Sequence, residues 1–240
     1  LYMMKGPKKY TDLDVKILDL MLILHAEHGG GNNSTFTVRV VSSTETDTYS
    51  AIAAGIGSLK GPLHGGANLQ VAAMFEHLKN VISDWTDVKE IDAYLKKMLN
   101  KEAYNKTGLI YGIGHAVYTV SDPRAILLKV VVRELAKEKN LESELAFMEL
   151  VEERSINAFM NFKGDSINKQ VCANVDFYSG FVYEALGIPK EVYTPLFAMS
   201  RIVGWTAHRI EELNFTGKRI IRPAYKNVGG LKDFTPMTER

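Results

Sequence analysis

Cysteine is nearly absent: Cys172 is the single one in 240 residues. That leaves no partner for an intrachain disulfide and no multi-cysteine metal site, and it fits a reducing compartment. Neither sign of charge prevails, with 29 basic against 28 acidic residues, a formal net charge of +1 and no long block of either. The electrostatic footprint of a nucleic-acid or membrane-surface partner is therefore missing. Long apolar runs are missing too. The best, ILDLMLIL at 17–24, is interrupted by Asp19 and stops far short of the ~20 residues that a membrane helix needs. No secretory leader or transit peptide opens the chain, and a cytoplasmic location is expected. The first residues, LYMMKGPKKY, start on leucine and read as a cut into a longer protein. What is present is 46% hydrophobic and 24% charged, the balance of a globular protein with ample material for a core.

Helix signals dominate. Thr11 and Asp14 form a capping-box start for an apolar periodicity through Leu24, which the HGGGNN run at 28–33 ends. Small residues in DTYSAIAAGIGSLKG (47–61) suit close helix packing, and 67–82 and 87–102 read as amphipathic helices. Asp122 caps a helix that has Pro123 at its first position. Further helices are predicted at about 142–162, 174–186 and 191–213, and the stretch after 216 is irregular. TFTVRVV at 35–41 is rich in β-branched residues and reads equally as a strand. The class is all-α.

Several chemistry-bearing residues sit in loops or at helix ends. His28 precedes three glycines, and His64 and His115 each follow a glycine-containing turn, in GPLHGG and GIGHAV. His64 stands just before a helix N-terminus, where the positive dipole end favours a neutral imidazole able to donate to a developing oxyanion. Asp176, in NVDFYSG, opens another helix and is biased toward the ionised state that a general base requires, although a plain capping acid reads the same way. Arg201 lies in the apolar stretch YTPLFAMSRIVGW, where a buried guanidinium needs an anionic partner. With Arg124 and Arg222 it can clamp a dianion through bidentate forks. His25 and His28 have helical metal-ligand spacing, but no HExxH or carboxylate cluster accompanies them and no metal is expected. Phosphate-loop, dinucleotide and nucleophile-elbow motifs are all missing.

Six of these stretches, LHAEHGGGNNSTFTVR, AIAAGIGSLKGPLHGGAN, GIGHAVYTVSDPRA, NVDFYSG, AMSRIVGWTAHRIEE and IIRP, resemble successive motifs of the citrate synthase family in the same order, from about Leu22 to Pro223. The resemblance implies an all-α homodimer with a large and a small domain closing over substrate. It implies condensation of acetyl-CoA with oxaloacetate to citrate and free CoA, with no metal or other cofactor. By motif, Asp176 would abstract the acetyl proton, His64 would hold the thioester oxygen, and His115 would polarise and protonate the ketone. His28, Arg124 and Arg201 would bind oxaloacetate, and Arg222 would reach the neighbouring subunit's site. The glycines around His64 would let the thioester approach.

Residues 1–65 and 188–240 are then expected in the large domain and 66–187 in the small one. Two departures stand out. Gly29 replaces the family's usual glutamate, and Ala116 and Thr119 stand where many members place a basic CoA contact. Two alternatives share the scaffold: a 2-methylcitrate synthase using propionyl-CoA, and a non-catalytic helical binding or assembly module. A segment lacking the family's N-terminal helices is expected to expose apolar surface and to be inactive alone.

Overall fold

The computed structural model describes residues 1–114, 118, 120–163, 171–230 and 233–239. Ten α-helices follow one another among them: α1 (Tyr2–Lys5), α2 (Asp12–His25), α3 (Asn33–Ser42), α4 (Thr48–Leu59), α5 (Ala67–Val81), α6 (Val88–Leu99), α7 (Pro123–Lys139), α8 (Glu142–Lys163), α9 (Asp176–Ala185) and α10 (Tyr193–Asn214). No strand occurs among the described residues, and the fold is all-α; the one β-like feature is an isolated antiparallel bridge between Ile113 and Ala173.

Helix starts follow their caps. The Thr11 hydroxyl accepts from Asp14 N while Asp14 returns a bond to Thr11 N, a full capping box. Asp47 caps α4, Asp87 caps α6, and Asp122 caps α7 with Pro123 in the first turn. The ambiguous 35–41 stretch is helical. Ser34, Thr35, Val38 and Ser42 form one buried face of α3, packed on α4 and α10. Tertiary burial at helical spacing overrides the β-branched preference there.

Two apolar clusters organise the molecule. The larger joins Ile17, Leu18, Met21 and Leu24 of α2 with the inner faces of α5 to α9 and the start of α10. The smaller contains Val38, Ala51, Leu59, Phe197 and Trp205, from α3, α4 and α10. Helix α10 thus runs through both. Among the described residues the chain after Asn214 is irregular apart from a 3-10 turn at Met237–Glu239, and all but the half-buried Ile221 are exposed.

Candidate active site

Helix α10 presents Arg201, Gly204, Trp205 and His208 at one-turn spacing, and the segment linking α2 to α3 lies along that face. Arg201 Nε donates to His25 O at 2.6 Å, and Nη1 donates to Asn32 Oδ1 at 3.3 Å. Ser200 Oγ donates to Leu22 O. A Cβ at Gly204 would collide with Ala26 O and the Glu27 carboxylate, so only glycine admits this close approach. His208 Nε2 is 3.0 Å from Glu27 Oε1, and the Gly29 N–H donates to the same oxygen. Burial pushes the Glu27 carboxyl up, but the bonds from His208 and the Gly29 N–H outweigh it and hold it below the ordinary carboxylate range. The half-buried His28 is thereby carried on a loop tied at both ends.

His64 faces that loop. Its Nε2 accepts from Ser34 N at 3.3 Å and lies 2.9 Å from Ser34 Oγ, which in turn accepts from Trp205 Nε1 at 3.2 Å. An Nε2 that accepts from a backbone N–H leaves the proton of a neutral ring on Nδ1. The ring is held below its ordinary pKa, first by burial and then by the Arg201 charge, with Asp176 acting in the opposite direction. The direction matches the sequence expectation; the principal causes are burial and Arg201 rather than the following helix.

The neighbouring glycines are boxed in. Gly65 N donates to Leu59 O at 2.8 Å, and a Cβ on Gly65 or Gly66 would strike the Leu59 or Pro62 carbonyl oxygen. Their work is to fold the turn tightly behind His64, which is a different reason from open access for a ligand.

Asp176 is placed by a second device. Gly114 N donates to Cys172 O at 2.7 Å and Asn174 N to Gly112 O at 2.9 Å, zipping the glycine-rich loop against the segment before α9. Asn174 spans the join, its Nδ2 donating to Gly114 O and its Oδ1 accepting from Asp176 N at 3.0 Å. Gly112 has φ 81° and no room for a Cβ against Phe177, so the loop requires glycine there. Asp176 Oδ1 lies 3.9 Å from Nε2 of the buried His25.

The arginines separate into three cases. Arg201 is 1% exposed, and no carboxylate stands within ion-pair distance of it among the described residues; burial lowers its pKa to about 10. The anionic partner expected from its apolar setting is not one of those residues. Arg124 instead forks onto Asp122, with Nε to Oδ1 at 3.1 Å and Nη2 to Oδ2 at 2.8 Å. The fully buried Asp122 also accepts from Val175 N at 3.2 Å, tying the starts of α7 and α9 together. Burial raises the Asp122 pKa, but Arg124 and the two backbone N–H groups outweigh it and keep it below the usual range. Tyr118 bridges Arg124 and His28, its ring 5.8 Å from the guanidinium carbon and 6.0 Å from the imidazole.

Arg222 is exposed in the tail, which Ile221 N anchors to Ser43 Oγ at 3.0 Å. Ser43 stands about 13 Å along α3 from Ser34, so Arg222 is not gathered with the others. His115 lies outside the described residues, as do Ala116 and Thr119. Ser34, Asn174, Asp122, Tyr118 and His25 are the supporting residues that motif reading passed over or took for other roles. Their signal was adjacency, since each stands within six residues of a residue singled out for chemistry.

A family model described as "Citrate synthase, C-terminal domain" matches residues 1–224. The chain belongs to the citrate synthase family. A citrate synthase from Acidithiobacillus ferridurans is 40% identical over 243 residues, covering 100% of this chain and 57% of that protein. The crystal structure of citrate synthase from Pyrobaculum aerophilum matches with a TM-score of 0.76 and 36% identity, over 100% of this chain and 54% of that one. A ternary complex of the Thermoplasma acidophilum citrate synthase with carboxymethyl coenzyme A and oxaloacetate matches at 0.76 and 34%, over 97% of this chain and 57% of that one. The chain spans about half the length of these relatives. No helix among its described residues is long and apolar enough to cross a membrane.

Proposed function

We propose that this chain carries the chemistry of a citrate synthase, condensing acetyl-CoA with oxaloacetate to give citrate and CoA. The observation that supports it best is the meeting of a carboxylate, Asp176, a neutral imidazole, His64, and a buried guanidinium, Arg201, that no carboxylate among the described residues pairs with, where α9 and α10 meet the turn before α5. A thioester α-proton is weakly acidic, so a carboxylate can remove it only if the enolate oxygen is stabilised at the same time. Asp176 takes the proton, and His64, held at Nε2 by Ser34, donates Nδ1–H to the thioester oxygen. The enolate carbon then attacks the ketone carbon of oxaloacetate, and His115 gives the new alkoxide its proton; water releases CoA.

His28, Arg124 and Arg201 hold the oxaloacetate carboxylates. Among the described residues no carboxylate pairs with Arg201, whereas Arg124 must share its fork with Asp122. Arg222 serves the neighbouring subunit's site in a homodimer. The reading assigns no metal and no cofactor, since acetyl-CoA is a substrate. It keeps the division into 1–65 and 188–240 against 66–187, and a cytoplasmic location.

The test is CoA thiol release on mixing oxaloacetate with acetyl-CoA, for the protein at its natural length and for this segment alone. Turnover that falls at least about a hundredfold in Asp176→Ala, with oxaloacetate binding retained, is the expected result. Propionyl-CoA run in parallel reads the acyl preference, for which one methylene is worth about 1–3 kcal/mol. A native protein that binds oxaloacetate yet is silent with both thioesters would move the reading to a binding module.

A further inference from the structure

His25 ends α2 and is 1% exposed, its ring edge-on against Phe197 at 4.8 Å between centroids. Its Nδ1 lies 2.8 Å from Met21 O, one helical turn back. A carbonyl oxygen only accepts, so Nδ1 carries a proton and donates it. Nε2 is buried and has no hydrogen-bond partner among the described residues. The group it faces is the Asp176 carboxylate, at 3.9 Å. With the single proton of the neutral ring on Nδ1, Nε2 presents its lone pair toward Asp176. A buried acceptor with no partner among the described residues therefore points at a carboxylate.

We propose that His25 receives a hydrogen bond from Asp176 once Asp176 has taken up its proton, and that it assists deprotonation in this way. The proposal rests on reading Asp176 as the general base. The C–H bond next to the thioester breaks, its electron pair becomes the enolate, and the proton bonds to an Asp176 carboxylate oxygen. That new O–H donates to His25 Nε2, and the proton stays on Asp176. Before transfer two acceptors face each other; after transfer each has a partner. The contact is made only on the product side of the step, which is the condition for an interaction to lower its barrier. Closing 3.9 Å to hydrogen-bond length needs about 1 Å of movement, the kind of tightening that unliganded sites undergo when substrate binds. His25 touches no substrate in this scheme and acts through Asp176.

The experiment uses the protein at its natural length. His25→Asn retains an N–H near the Nδ1 position for Met21 O and removes the Nε2 acceptor; His25→Gln extends an amide oxygen toward Asp176. The expected result for His25→Asn is a kcat about tenfold lower, the worth of one buried hydrogen bond. The oxaloacetate KM should stay within about twofold of native, and the primary isotope effect with trideuterated acetyl-CoA should rise as proton transfer becomes more limiting. His25→Gln should recover part of the loss. Native kcat and isotope effect in a folded His25→Asn overturn the proposal. So does a joint loss of kcat and oxaloacetate affinity with an unchanged isotope effect, the mark of a packing role. Where the variants do not fold, nitrogen-15 NMR of the native protein decides: a neutral ring protonated at Nδ1 supports the proposal, and a proton on Nε2 overturns it. Native protein inert to both thioesters overturns the base assignment instead, and this proposal with it.

Discussion

The two apolar clusters are held in different ways. The larger fills the space among α2 and α5 to α9 with fully buried side chains such as Ile17, Met21, Leu95, Leu128 and Phe177. The smaller has five buried apolar residues and is stitched by polar contacts. Arg209 donates to Thr48 Oγ1, Ser42 Oγ and Thr46 O, Arg39 pairs with Glu212 at 2.8 Å, and Trp205 donates to Ser34. Around it the surface stays apolar, with Tyr49, Leu63, Met199 and Val203 exposed. The lesson is where the candidate site lies: on the seam between the clusters, with His25 and Asp176 beside the well-filled core and His64 and Ser34 beside the stitched one. Movement of one cluster against the other would change every distance across the site.

Breaking the smaller cluster gives the largest effect. Trp205→Ala removes its largest side chain and the donor to Ser34, and should cost about 3–5 kcal/mol in urea unfolding. The second tryptophan, Trp85, stacks on Phe147 at 5.1 Å in the larger cluster, so each indole reports on one cluster. Fluorescence unfolding of Trp85→Phe, which watches Trp205, should show an earlier midpoint than that of Trp205→Phe, which watches Trp85. Coincident midpoints would mean one cooperative unit and would cancel the comparison.

Next comes the tie between α7 and α9. Asp122→Asn breaks a buried pair from one side and should cost about 3 kcal/mol at neutral pH. The folded-state pKa of Asp122 lies below the unfolded carboxylate value. Its contribution is therefore complete above the unfolded value and is lost as pH falls through the folded one. The native and Asp122→Asn stabilities should converge on acidification, and a gap that stays constant from pH 7 down to pH 2 would refute the linkage. A smaller effect is expected at the seam. Gly204→Ala forces the Ala26–Glu27 backbone away from α10, at about 1–3 kcal/mol, and should weaken oxaloacetate binding more than it weakens folding. Calorimetric titration against thermal melting separates the two losses.

The helices were legible because their signals are local. Caps at Thr11 and Asp122 and apolar spacing within one turn need no knowledge of the rest of the chain. The 35–41 segment was not legible, because its helix depends on what α4 and α10 bury. The principal site residues announced themselves by unusual settings, a histidine between glycines or an arginine among apolar residues. Their geometry did not. Asp122 reads in sequence as a helix cap, and the structure gives the same carboxylate three further bonds, one to α9 across 53 residues. His25 and His28 share a helical spacing from which no metal was expected, and the two face different partners: His25 turns toward Asp176 and His28 toward Tyr118. Which side chain turns toward which is settled by long-range packing, and that is the part a linear pattern does not carry.

The N-cap of α2 is the mildest point of attack on the larger cluster. Thr11→Ala removes the hydroxyl that accepts from Asp14 N at 3.1 Å and the contact to Glu138 at 2.9 Å on α7. Losing an N-cap typically costs about 1 kcal/mol. Asp14 would keep its 2.8 Å ion pair with Lys139, so the start of α2 stays pinned to the end of α7. The loss should appear as a small, uniform drop in the Trp85-reported midpoint with an unchanged slope, because Ile17 to Leu24 remain packed. Oxaloacetate binding should not move, since the cap lies at the end of α2 opposite His25, about 20 Å away along the helix. A change in binding from so remote a cap would mean that α2 transmits strain as a rigid rod from the larger cluster into the seam, making the two clusters one mechanical body despite their different construction.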